Sequence, residues 1–307
     1  MILLCGIPTE RPLALIADEL SKRGAPFTIL NQRELQRFSG NLEMREGGLG
    51  GWLEMQGRTR SLADIRGIYS RLMDDARLPE YAGLAAGAPL LLAAAARQEW
   101  LTLWWNLTPA RVVNRPAATL SNCSKPWQLQ IIREAGFSIP ATLITSDPEA
   151  VRAFQKQHER VIYKSISSVR SIVRELSPAD DARLDRIRWC PTQFQEFIPG
   201  QNVRVHVVGD RCFATAIGSE AIDYRYAASE TGVPAELRPL ELAPDIAAKC
   251  VALTRELRLA FSGLDLKMTP AGRVVCFEAN PSPGFSYYED HTGQPIAAAV
   301  AEYLMSA

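Results

Sequence analysis

The stretch GLDLKMTPAGRVVCFEANPSPGFSYYED, Gly263 to Asp290, decides how the chain is read. Its runs Gly263 to Met268 and Arg273 to Ala279 are short and rich in Leu and Val, and Thr269, Pro270, Ala271 and Gly272 separate them. Short apolar runs divided by such a turn predict a β-hairpin. With Thr269 opposite Val274, the same register sets Asp265 opposite Glu278, and the two-residue period of a strand places Asp265, Glu278 and Asn280 on one face. Like charges facing each other across a sheet are unfavourable, so this couple needs a cation. Lys267 and Arg273 are near enough in sequence to supply one as a salt-bridge cluster. The other solution is a metal: oxygen donors without His or Cys suit Mg²⁺ or Mn²⁺, which share carboxylates with phosphate oxygens. Pro281, Ser282, Pro283 and Gly284 are too rich in proline for a strand, so the acidic strand is expected to end in a rigid loop.

The Gly-Leu-Asp-Leu of residues 263–266, followed by the hairpin and by FEANPSPG of residues 277–284, resembles the C-terminal signature of the ATP-grasp ligases, most closely their RimK-type branch. The resemblance implies that Asp265, Glu278 and Asn280 hold one or two Mg²⁺ on the triphosphate of ATP. Tyr288 to Gly293 also resembles the RimK-type ending, which runs into a last helix.

The 307 residues have room for two or three subdomains, and a hydrophobic content of 47% is that of a globular enzyme. A formal net charge of zero leaves no global electrostatic footprint for nucleic acid or for a membrane surface. The six cysteines are scattered, with no C-x-x-C pair and no secretory leader, a pattern expected of reduced thiols in a cytoplasmic protein. Residues 82–96 lack charge, yet the run is too short and too rich in Ala and Gly for the ~20 apolar residues of a membrane span. Pro89 to Leu107 is instead read as a buried helix whose Trp100, Trp104 and Trp105 pack at a domain seam.

From the N-terminus, Met1 to Cys5 is predicted as a strand, Pro12 to Lys22 as an amphipathic helix stopped by Gly24, and Phe27 to Leu30 as the next strand. This β-α-β start suggests a small Rossmann-like layer, although Gly6-Ile7-Pro8 is no dinucleotide fingerprint. The glycine run 47–51 is read as a hairpin turn, and Ile65 to Leu72 as a strand presenting Tyr69 and Arg71 at its end. ATP-grasp proteins carry such an N-terminal domain, and the resemblance makes Arg71 a candidate for binding a substrate carboxylate, a surface arginine being the alternative.

Asn114, Arg115 and Pro116 mark the expected domain boundary. A helix is predicted from about Pro126 to Ala135 with Ser124 as N-cap. Lys125 stands at the positive end of this helix, against the dipole preference, and a bound anion would resolve the conflict. By resemblance to the start of the ATP-grasp fold, Lys125 binds phosphate. Val161 to Lys164 is a predicted strand, and Lys164 matches the family lysine that precedes a mobile loop over the phosphates. That loop is Gly-rich in many members and Ser-rich here, so Ser167 and Ser168, with their hydroxyl and backbone N–H groups, become the phosphate-binding candidates beside Arg170.

Thr192 to Phe197 followed by Ile198-Pro199-Gly200 resembles the hinge of the fold, which implies that Glu196, Phe197 and Ile198 hold the adenine or ribose. Asn202 to Val207 alternates strictly and puts Asn202, Arg204 and His206 on one face. Arg204 matches the family arginine that contacts phosphate, a task that suits a planar guanidinium; His206 is read as a hydrogen-bonded structural residue, a catalytic histidine being the alternative. Ile222 to Arg225 resembles the Asp-aromatic-Arg segment of the graspetide (microviridin-type) macrocyclases, which makes Asp223 and Arg225 candidates for binding a peptide substrate.

The whole implies an α/β (α+β) chain: a Rossmann-like domain over residues 1–113 and a two-subdomain ATP-grasp fold over 114–190 and 191–307. The implied reaction is ATP-dependent ligation of a carboxylate to an amine, or to a hydroxyl, through an acyl phosphate, with Arg204 and Lys164 as catalytic cations. The carboxylate and the acceptor belong to a peptide, a protein or a small amino acid. The alternatives are a kinase-like phosphotransferase and an inactive ATP-binding module. Members of the family are often dimers or tetramers, which points to a homo-oligomer.

Overall fold

The computed structural model describes residues 1–46, 48–55, 57–85, 87–166, 173–219 and 232–306. Near the N-terminus, β1 (Ile2–Gly6), α1 (Arg11–Lys22) and β2 (Phe27–Asn31) form the expected β-α-β start. Together with β6 (Gly67–Ser70) and β7 (Arg111–Val113) they give a parallel sheet of order β2-β1-β6-β7. A three-stranded antiparallel sheet, β3 (Ser39–Arg45), β4 (Gly48–Met55) and β5 (Arg58–Ser61), is inserted between them. The glycine run is therefore not simply a turn: Gly48 to Gly51 lie inside β4. A side chain at Gly51, whose φ is +132°, would collide with the Asn41 carbonyl of β3, so the glycine serves close strand contact. Helix α2 (Pro89–Leu107) has the expected bounds but is not buried throughout, since Leu90, Leu92, Leu103 and Leu107 are exposed; Trp104 and Trp105 pack in a core with Leu3, Cys5, Leu53 and Ile68, all N-terminal residues, and not at a domain seam.

Two antiparallel sheets make up the rest. The central one has the order β10 (Arg174–Glu175), β9 (Val161–Ser165), β11 (Thr192–Glu196), β8 (Thr142–Thr145), with α4 (Pro148–Gln157) packed on it through Val151. The C-terminal one has the order β14 (Glu236–Leu240), β13 (Arg211–Gly218), β12 (Gln201–Val208), β15 (Phe261–Met268), β16 (Val274–Asn280). Because β11 pairs with both β8 and β9, the central sheet extends to Glu196, beyond the expected division at 190/191. Helix α3 (Lys125–Glu134) precedes the central sheet in sequence but packs elsewhere. Its Leu129 and Ile132 share a core with Val205, Leu264 and Ala279 of the C-terminal sheet and with α5 (Pro244–Glu256).

Two short helices, α6 (Ser286–Thr292) and α7 (Ile296–Met305), close the chain. Ile296, Val300 and Leu304 bury against Leu4, Leu13, Ile16 and Leu20 on one side and Phe213 and Phe261 on the other. The last helix thus joins the N-terminal sheet to the C-terminal one through a shared apolar core. The β12 strand is covered on both faces, which is why Arg204 and His206 are buried along with its valines. Among the described residues no helix is long and apolar enough to cross a membrane.

Candidate active site

The acidic hairpin forms, with a register that differs from the expected one at its tip. Met268, not Thr269, pairs with Val274, and Leu266 with Cys276. A bulge then leaves Phe277 as the extra residue, so that Asp265 meets Glu278 and Gly263 meets Asn280. The expected Asp265–Glu278 pair is reached through that extra residue, because bulges shift register by one and re-aim the side chains beyond them.

Across the next strand Arg204 pairs with Asp265, so Arg204, Asp265 and Glu278 lie in one row over β12, β15 and β16. Arg204 Nη1 donates to Asp265 Oδ1 at 2.6 Å, and its guanidinium lies 5.9 Å from the centre of the Tyr288 ring. A side chain at Gly263 would collide with this guanidinium and with Pro283, so the glycine of Gly-Leu-Asp-Leu makes room for the arginine. Lys125, the first residue of α3, donates to Glu278 Oε1 at 2.5 Å and to Asn122 Oδ1 at 2.8 Å. The anion that its helix position called for is supplied by the protein itself. Burial alone would raise the Glu278 carboxyl, but the charges of Lys125, Lys164 and Arg204 outweigh it and hold the group below its ordinary value.

These contacts replace the expected local compensation. Lys267 instead stands 5.1 Å from the centre of the Phe197 ring, whose other cation is Arg160 at 3.6 Å. Burial, with Arg160 nearby, lowers the Lys267 pKa. Each site carboxylate is tied to a cation through one oxygen, which leaves its second oxygen to accept another ligand. Asn280 Oδ1 accepts the Ser282 amide at 2.8 Å and keeps a lone pair. The donor set is two facing carboxylates and an amide oxygen, so it fits a hard divalent cation that takes its remaining ligands from phosphate and water. Among the described residues no cluster of three His, Cys, Asp or Glu could hold a metal ion by itself.

Lys164 lies on β9 of the central sheet, opposite Gln193, and its charge acts on Glu278 of the other sheet. The site therefore sits in the cleft between the two sheets. At the hinge, the Glu196 and Phe197 amides donate to Ala141 O at 3.0 Å and to Arg160 O at 2.9 Å. Glu196 Oε1 accepts the Ala141 amide, and Ile198 is buried. A base at this edge would have to use the groups that remain, at Ile198 and the carbonyls. Arg71 is tied within the protein: it donates twice to Glu10 Oε1, at 2.8 and 2.6 Å, and to Pro283 O at 3.2 Å. Ser167, Ser168, Arg170, Asp223 and Arg225 lie outside the described residues.

His206 is not hydrogen-bonded as expected: neither ring nitrogen has a partner among the described residues. Its ring packs 4.9 Å from Tyr288 and 6.1 Å from Phe261, and burial, aided by Arg204, holds its pKa well below the ordinary value. The six cysteines are free, and burial raises the thiol pKa of Cys5, Cys250 and Cys276, so none of these three is a thiolate nucleophile. Sequence reading missed Asn122, Gln128 and Asn114 as supports of the site. Gln128 carried a signal, since it lies on the helical stripe of Leu129 and Ile132, where a polar residue needs a buried partner.

No family model matches the chain. A probable alpha-L-glutamate ligase of Shewanella loihica is 25% identical over 203 residues, 62% of this chain and 66% of that protein. Beta-citrylglutamate synthase B of Danio rerio is 26% identical over 208 residues, 64% of this chain and 51% of that protein. The chain thus matches about half to two thirds of the length of these curated relatives. Among solved structures, the ATP-grasp ligase PsnB complexed with minimal precursor, Mg and ADP is 25% identical at a TM-score of 0.82, covering 99% of this chain and 96% of that one. The macrocyclase MdnC of Microcystis aeruginosa, bound with precursor peptide MdnA, is 21% identical with a TM-score of 0.79 over the full length of both chains and speaks to the fold. The chain has the mixed α/β fold of the ATP-grasp proteins and is similar both to RimK-like glutamate ligases and to graspetide macrocyclases.

Proposed function

We propose that the chain is an ATP-dependent carboxylate-amine ligase that activates its carboxylate as an acyl phosphate and acts on a peptide. The observation that carries this reading is the row Arg204, Asp265 and Glu278, closed by Lys125 and faced by Lys164 across the cleft. Three cations around two carboxylates are suited to a triphosphate and its divalent counter-ion, because fixed charges in a partly dry cleft stabilise a transferring phosphoryl group without reorganising. Asp265, Glu278 and Asn280 would hold magnesium or manganese, which when bound neutralises the triphosphate. Arg204 and Lys164 would then be the catalytic cations, and Lys125 would exchange Glu278 for a phosphate oxygen. Glu196, Phe197 and Ile198 would hold the base; Ser167 and Ser168 at the phosphates and Asp223 and Arg225 at the substrate rest on the family resemblance.

The reading is supported by the glutamate ligase relatives and by PsnB, whose structures contain a precursor, Mg and ADP. We further read the parallel N-terminal sheet as a Rossmann-like layer within residues 1–113, the protein as cytoplasmic, and the assembly as a homo-oligomer. An acyl phosphate leaves a specific trace. With ATP, Mg²⁺, the cognate precursor carboxylate and no amine, hydroxylamine should give a hydroxamate together with ADP and phosphate. AMP and pyrophosphate would sink the mechanism, ADP with a stable phosphorylated product would replace ligase by phosphotransferase, and binding without turnover would leave an inactive module.

A further inference from the structure

We propose that Gln128 is the positioning residue of the metal-bearing strand: its side-chain amide holds the peptide units on either side of Ala279 and so sets where Glu278 and Asn280 point. This rests on reading Asp265, Glu278 and Asn280 as the metal donors. Among the described residues strand β16 is the edge of its sheet, and the Ala279 amide and carbonyl on the side away from β15 have no strand there to pair with. Gln128 supplies both partners. Its Nε2 donates to Ala279 O at 2.8 Å, and its Oε1 accepts Ala279 N at 3.0 Å. The side chain is 1% exposed. Placed in this way, it imitates one peptide group of a missing neighbouring strand and fixes the height and twist of the segment that carries a candidate donor on each side of Ala279.

A second buried amide holds the far side of Asn280. Asn114 Nδ2 donates to Pro281 O and to Phe261 O, both at 2.6 Å, while its Oδ1 accepts the Ala260 amide at 2.8 Å and the Phe261 amide at 3.0 Å. Glu278 to Pro281 is therefore gripped by two amides that come from outside the hairpin. Lys125, one turn before Gln128 on α3, holds the Glu278 carboxylate, so one helix positions both the backbone of this segment and its charge. The Asn280 backbone is anchored at both neighbours, which leaves its side chain free to turn only about its own bonds.

The test reads metal affinity directly, with Mn²⁺ as the probe. Gln128→Met keeps the volume and removes both hydrogen bonds; Gln128→Asn keeps the amide but is one methylene shorter and withdraws it from Ala279. Electron paramagnetic resonance of Mn²⁺ bound in the presence of saturating ADP is measured beside metal-free ADP affinity and urea unfolding. Gln128→Met is expected to bind Mn²⁺ about ten- to a hundredfold more weakly, the usual cost of losing an outer-shell partner, with metal-free ADP affinity unchanged. Folded Gln128→Met with wild-type Mn²⁺ affinity overturns the positioning role and leaves the metal site standing. Glu278→Gln with wild-type Mn²⁺ affinity overturns the metal site, and the positioning role with it. If Gln128→Met does not fold, Gln128→Asn decides: weakened Mn²⁺ binding supports the role and unchanged binding overturns it.

Discussion

Replacing Glu278 by Gln changes one charge at the centre of the site while keeping the size of the side chain, and the structure says what that should do to the fold as well as to activity. The Lys125–Glu278 pair is half-buried, with side-chain exposures of 15% and 26%. Breaking a fully buried pair costs about 3 to 5 kcal/mol, and an exposed one about 0 to 1. Gln can still accept from Lys125 through its amide oxygen, and Lys125 keeps Asn122. The loss should therefore fall near the strength of one charge-assisted contact, about 1 to 2 kcal/mol, a few degrees in Tm. Without the carboxylate the site loses a candidate metal donor, and Mg²⁺-dependent ATP turnover should drop by about two to three orders of magnitude, the usual effect of removing one preorganised electrostatic partner. Urea unfolding and a coupled ADP assay over a Mg²⁺ titration measure the two effects on the same preparation. A stable Gln variant that turns over ATP with unchanged Mg²⁺ dependence would refute the reasoning, and so would a variant that is inactive only because it is unfolded.

Lys125→Met and Lys164→Met should each weaken ATP by about 1 to 3 kcal/mol, the scale of a charged hydrogen bond, and leave adenosine affinity unchanged in calorimetry; equal losses for both ligands would assign the lysines to folding. His206 should make the protein acid-sensitive. Its folded pKa lies well below 6.5, so as pH falls the unfolded chain binds a proton that the folded chain does not, and stability drops. Between pH 6.5 and 5.5 this amounts to ~1 kcal/mol, which His206→Phe should remove; an identical pH slope in the variant, by urea unfolding at both pH values, would mean that His206 is charged when folded.

The local elements were legible because their causes are local. The β-α-β start, α2 from Pro89 to Leu107, α4 capped by Asp147, the alternation of β12 and the hairpin about Thr269 to Gly272 each follow from side-chain period and turn chemistry within a few residues. The acidic face was legible for the same reason, since Glu278 and Asn280 are two apart on one strand. The glycines were less so. Period and composition do not distinguish a glycine that turns the chain from one that lets two strands, or a strand and an arginine, approach, and Gly51 and Gly263 are of the second kind.

By itself, then, the sequence of this chain determined the strands and helices with strong local period, which residues form the acidic face, and, through the resemblance of residues 263–284, which family to expect. Only the tertiary structure decided how the acidic pair is compensated. Lys267 and Arg273 are close in sequence, but Arg204 and Lys125 come from 61 and 153 residues away to make the ion pairs. It also decided that Arg71 binds Glu10, that α3 packs on the C-terminal sheet, and that Gln128 and Asn114 grip the strand between them. The physical reason is one of range. Backbone propensity is set by neighbours along the chain, whereas a buried charge or an unpaired edge amide takes whichever complementary group the packing brings within about 3 Å, wherever it lies in the sequence.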